Sequence, residues 1–125
     1  MTEARQFDLA TRTTTFATEC RTLIKHVSKH ISNIEDAKQL ARSSGSVAAN
    51  YLEADEALSK KDFAMRIKIC RKEARESRLW LTLLEVGESH EEQRKKLQQE
   101  AFELVKIFNA IVNKTQAVAV WHSEI

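Results

Sequence analysis

The chain has 125 residues, 42% of them apolar, with no proline and only two glycines, which suits a single domain with one real core and argues against a disordered chain. Twenty basic against eighteen acidic side chains leave a formal charge of +2, too small by itself to mark a nucleic-acid-binding protein. The longest apolar run is Ala117 to Trp121 and the first residues include Glu3, Arg5 and Asp8, so the sequence predicts no signal peptide, no membrane span and a cytoplasmic protein.

Helix one is predicted from Asp8 to about Ser28 (8–28), with Leu9, Thr13, Phe16, Cys20, Leu23 and Val27 on its inner stripe. Ser32 followed by Glu35 reads as a capping box opening helix two (33–57). Its stripe is Ala37, Leu40, Ala41, Ser44, Val47, Ala48, Tyr51 and Leu52. Ser59 and Asp62 form a second box, with Leu58 and Phe63 placed as a hydrophobic staple. Helix three (60–86) then repeats strict four-three spacing at Phe63, Ile67, Cys70, Ala74, Ser77, Leu81 and Leu84. Gly87 is placed as a left-handed C-cap, and Ser89 with Glu92 as a third box. Helix four (90–118) carries Leu97, Ala101, Leu104, Phe108, Ile111, Thr115 and Val118. Short connections force antiparallel neighbours, so the expected fold is all-α, an up-down-up-down four-helix bundle over 1–125.

Gly45 interrupts helix two within Ser43, Ser44 and Ser46, where glycine costs about 1 kcal/mol relative to alanine. A close crossing by a neighbouring helix would compensate. A serine nucleophile would need an activating base in an elbow or Ser-x-x-Lys context, and none is present. Cys20 and Cys70 fall on apolar stripes, where a thiol acts as a small hydrophobe and a reducing compartment disfavours a bridge. His26 and His30, four apart, are the best metal candidates but lack a third ligand. The sequence therefore predicts no metal, no cofactor and no enzyme.

Three blocks carry a family resemblance: Ser46-Val47-Ala48-Ala49-Asn50-Tyr51-Leu52-Glu53-Ala54, Ser59-Lys60-Lys61-Asp62-Phe63, and Lys72-Glu73-Ala74-Arg75-Glu76-Ser77-Arg78-Leu79-Trp80-Leu81. Over residues 8 to 115 the chain resembles the bacterial four-helix bundle proteins known as ribosomal RNA intervening-sequence proteins, which are similar to accessory proteins of diversity-generating retroelements. The resemblance implies a bundle assembling as a ring-like homopentamer with no established enzymatic activity. This chain departs from the retroelement proteins in being nearly neutral where they are strongly basic.

Helix three offers candidate surfaces. Lys68, Arg71, Arg75 and Arg78 form a basic row, and residues 59–86 hold eight basic against four acidic side chains. Residues 34–58 are opposite in sign: Glu35, Asp36, Glu53, Asp55 and Glu56 outnumber Lys38 and Arg42. The two helices are expected to neutralise each other, within or between subunits. The alternative is a phosphate-tracking ridge, which needs cations free to displace counterions and would bind nucleic acid weakly. On the opposite face, Met65, Ile69, Leu79 and Leu83, with Lys72 and Glu76 between them, and Phe102, Val105 and Val112 of helix four suggest a subunit interface. Trp80, beside Arg66 and Glu73, is read as packing rather than as a base-stacking platform. Asn50, Glu53, Glu73, Arg75 and Glu76 are the polar heart of the resembling blocks, and the first two, Glu73 and Glu76 are expected to form a network that fixes helix register. The expected function is a non-enzymatic homo-oligomeric interaction module. A nucleic-acid-binding accessory factor is the alternative.

Overall fold

The computed structural model describes residues 8–124, with side chains described to residue 116. Four helices follow one another: α1 (Leu9–Ile24), α2 (Ile31–Asp55), α3 (Lys60–Leu83) and α4 (Glu91–Glu124), with a short 3₁₀ turn at Glu88–His90. Each packs on its sequence neighbours, and α1 meets α4 to close the bundle. Alternating direction follows from the short connections, so the architecture is the expected all-α four-helix bundle. The stripes converge on one core, with Phe16, Leu23, Leu40, Val47, Ile67, Leu81, Leu97, Leu104 and Phe108 all fully buried, whereas Leu52, expected on the α2 stripe, is 54% exposed. No helix among the described residues is long and apolar enough to cross a membrane. The side chain of Val118, expected on the inner stripe, lies outside the described ones.

The ends of the helices differ from the sequence reading, for tertiary reasons. α1 starts at its Asp8 cap, whose side chain accepts from the Thr11 amide at 3.3 Å. It stops at Ile24, four residues before Ser28, because Val27 leaves the helix to form an antiparallel bridge with Val86. α2 is capped by His30 and not by Ser32. The His30 Nδ1 accepts from the Asn33 amide at 3.5 Å and the Ser32 hydroxyl lies 3.1 Å from that same nitrogen, while Nε2 meets Glu85 at 2.9 Å.

Ser59 caps α3 as expected, its hydroxyl accepting from the Asp62 amide at 3.0 Å. The staple is absent, since Leu58 is 100% exposed. Gly87 is not left-handed either: at φ −65° and ψ 157° it is extended and opens the 3₁₀ turn. Instead Arg94 satisfies the orphan carbonyls of α3, donating to Leu81 O at 3.3 Å and Thr82 O at 3.4 Å. Ser89 turns its hydroxyl to the His90 ring, so it makes no capping box.

The glycine in α2 is likewise not a backbone crossing. A Cβ at Gly45 would meet the Arg21 guanidinium at 3.0 Å and no neighbouring backbone within 4 Å. Arg21 lies across α2, donating to Ala41 O at 3.1 Å and to the Ser44 hydroxyl at 3.4 Å. The close approach is two residues earlier and on the other side, where the buried Ser43 and Ser77 hydroxyls of α2 and α3 stand 2.8 Å apart.

Candidate functional site

α3 presents two long sides with different chemistry. Its inner side, toward α2, is a finished seam. Arg42 reaches from α2 and donates to both Glu73 oxygens, at 2.9 and 3.2 Å, and to Glu76 at 3.1 Å. Glu73 is 8% exposed, and a carboxylate at that depth persists only when paired. Burial by itself raises the Glu73 pKa, but the Arg42 guanidinium, with Ser46 and Lys72 beside it, more than offsets this and lowers it below its ordinary value. Two turns along the seam, the Asn50 amide donates to Ser46 O at 2.9 Å while its oxygen accepts from Arg66 at 3.1 Å. The Cys70 thiol donates to Val47 O at 3.6 Å.

The expected polar network therefore divides in two. Glu73 and Glu76 join Arg42, Asn50 joins Arg66, and Glu53 and Arg75 are exposed away from both clusters. The neutralisation expected between the acidic α2 and the basic α3 is reversed within the chain: the cation comes from α2 and the carboxylates from α3. Trp80 is half-buried against the core with its indole nitrogen buried, so it offers no open stacking platform.

The outer side of α3 faces solvent. The core side is centred on Cys70, Ala74, Ser77 and Leu81, and at about 100° per residue the opposite pole falls at Lys61, Lys68, Lys72, Arg75 and Leu79. The basic row and the apolar row, read from the sequence as opposite faces, are consequently interleaved on one surface. Lys68 and Lys72 stand beside Met65 and Ile69 in one shallow groove, and beside Arg75 and Leu79 in the next. Met65 is 47%, Leu79 49% and Leu83 50% exposed.

Of the four row cations, two are engaged with α4. Arg71 donates to Asn109 at 2.9 Å and Arg78 lies 4.7 Å over the Phe102 ring. Lys106 covers the same ring at 5.1 Å. Phe102 stays 37% exposed, Val105 and Ile69 are half-buried, and Val112 is core. Lys68 and Arg75, by contrast, are exposed with no ion-pair partner among the described residues, and so are Lys61 and Lys72, which sequence reasoning left out of the basic row. Their signal was the pole opposite the Cys70, Ala74, Ser77 and Leu81 stripe, which the spacing already marked and which a row taken one step past that stripe does not follow.

Sequence reasoning also missed Asn33. It is fully buried where the α1–α2 and α3–α4 connections meet, donating to Ser28 O at 3.0 Å and Glu85 O at 2.7 Å and accepting from the Glu85 amide at 2.9 Å. The two histidines weighed as metal ligands separate here. His26 stacks on His90 with ring centroids 4.4 Å apart, and His30 turns to Glu85. Among the described residues no group of three or more His, Cys, Asp or Glu stands together as a metal cluster. Cys20 and Cys70 are buried free thiols, both pushed up to about 12 by burial.

A family model described as 23S rRNA-intervening sequence protein matches residues 5–110. Among solved structures, the chain is similar to a crystal structure of a protein with unknown function from the S23 ribosomal protein family of Bacteroides thetaiotaomicron VPI-5482. The two share 27% identity and a TM-score of 0.74 over 86% of this chain and 97% of that one. No curated protein matches the chain.

Proposed function

We propose that this chain, which belongs to the 23S rRNA-intervening sequence protein family, is a non-enzymatic homo-oligomeric interaction module whose copies associate through the outer face of α3. One observation carries the reading: Met65, Leu79 and Leu83 leave about half of each side chain in solvent along a single helix face. Large apolar side chains aligned in that way mark an interface. Light scattering behind a sizing column tests it. The expected mass is a multiple of 14.3 kDa, and the ring-like homopentamer that the family resemblance implies would give five times that value. A single-chain mass at micromolar concentration would refute the reading. The two free buried thiols support a cytoplasmic setting.

A second reading is favoured by the cations of the same face. Lys61, Lys68, Lys72 and Arg75 have no ion-pair partner among the described residues, which suits an accessory factor meeting phosphates of RNA or DNA. Binding through so few contacts should be weak and fall steeply with salt. Glutamine at Lys61, Lys68, Lys72 and Arg75 tests it: unchanged retention of RNA at low salt removes this reading.

A further inference from the structure

We infer that the outer face of α3 on one copy seats the outer face of the C-terminal half of α2 on the next, a head-to-tail contact between two different surfaces of the same chain. This rests on the reading of the chain as self-associating and specifies what covers the α3 face.

The α2 surface is Ala49, Leu52, Glu53 and Glu56, at the three-four spacing of one helical stripe. All four are exposed, Leu52 at 54%. Neither Glu53 nor Glu56 has an ion-pair partner among the described residues. Both stripes therefore mix apolar side chains with unpaired charge, acidic on α2 and basic on α3. The only cation of α2 that reaches α3 within the chain, Arg42, is taken up by Glu73 and Glu76, so the charge imbalance of the two outer faces is left for a partner to answer.

The alternatives answer it less well. Two α3 faces pressed together would confront the unpaired lysines of both copies, where Glu76 is already held by Arg42 and Asp62, at the start of the helix, stands against four cations. Phosphates of a nucleic acid would neutralise the cations and leave Met65, Leu79 and Leu83 uncovered. A second copy's α2 supplies carboxylates and Leu52 together. Because α2 and α3 are neighbours in the bundle, their outer faces lie on adjacent sides. A contact between them is heterologous and turns at each step, the class of contact that gives a ring where the rotation closes and an open filament where it does not. The charges set register and partner choice more than affinity, which comes from the apolar side chains.

Charge exchange between the two faces tests this. The double variants K68E/R75E and E53K/E56K should each associate roughly a hundredfold more weakly than the wild type. The chain carrying all four substitutions should regain the wild-type mass, because the two faces are again opposite in sign. The altered side chains are all exposed, and helical circular dichroism checks that each variant folds. The neutral pair E53Q/E56Q gives the same reading without reversed charge, an intermediate loss being expected. If the wild type associates, Leu79→Glu dissociates it and E53K/E56K leaves the mass unchanged, α2 is not the partner surface although self-association stands. A four-fold variant that stays dissociated overturns the proposal as well. If K68E/R75E abolishes RNA retention without altering the mass, the face belongs to nucleic acid and the proposal fails. A monomeric wild type removes the self-association reading and this inference with it.

Discussion

The two sides of α3 differ in completeness. Toward α2, Glu73, Glu76 and Ser77 each meet a partner from the same chain. Toward solvent, four cations have no ion-pair partner among the described residues and three apolar side chains stay about half exposed. Both sides carry charge in sequence, yet only the inner one is folded structure in the sense that removing a member leaves a buried group stranded. The resembling blocks contribute to both, which separates residues that hold the bundle from residues that face outward to something else.

That separation can be broken at several points. Asn33→Ala should destabilise most, by about 2–4 kcal/mol, since it strands two loop carbonyls and an amide in the buried clasp. Denaturant midpoints at fixed protein concentration read it. Glu73→Gln should cost about 1 kcal/mol, because its partner Arg42 is half-exposed. It should also change the acid limb. The folded Glu73 pKa lies below the unfolded value, so its contribution is present above about pH 4.3 and is lost as pH falls through the folded pKa. The variant's stability should therefore fall less on acidification than that of the wild type, and an identical acid limb would contradict the Arg42 seam.

Gly45→Ala should shift stability by less than about 1 kcal/mol. The reduced freedom of the unfolded chain favours alanine, while the methyl displaces the tip of Arg21 and weakens its hold on Ala41 O. A loss of several kcal/mol would point to packing tighter than a flexible guanidinium. The smallest effect is expected at the thiols. With both pushed up to about 12 and buried, neither Cys20 nor Cys70 should react with a disulfide reagent at pH 8 until the chain unfolds. Prompt labelling of the native protein would show that the core opens locally.

The helices and the core were legible because burial on a helix repeats every three or four residues, and Ser59 was legible because its cap is local. The other connections were not. His30 displaces Ser32 as a cap while bonded to Glu85, 55 positions away, and Asn33 is buried by loop carbonyls rather than by side chains. On α3 the inward stripe of Cys70, Ala74, Ser77 and Leu81 was legible and the structure keeps it; the basic and apolar rows were visible too, but at about 100° per residue they lie side by side opposite that stripe rather than on opposite faces. The acidic excess of α2 was visible too, whereas the reversed pairing through Arg42 depended on which residues the helix crossing brings into reach.

The claim that the inner side of α3 builds the bundle and the outer side joins copies is tested most directly by replacing Leu79 and Leu83 with glutamate together. Mass by light scattering and helical circular dichroism should be followed on the same sample. A single-chain mass of 14.3 kDa with unchanged helix signal, beside a wild type of several times that mass, is the predicted result. A variant that keeps the wild-type mass, or one that loses its helices along with its assembly, would contradict it.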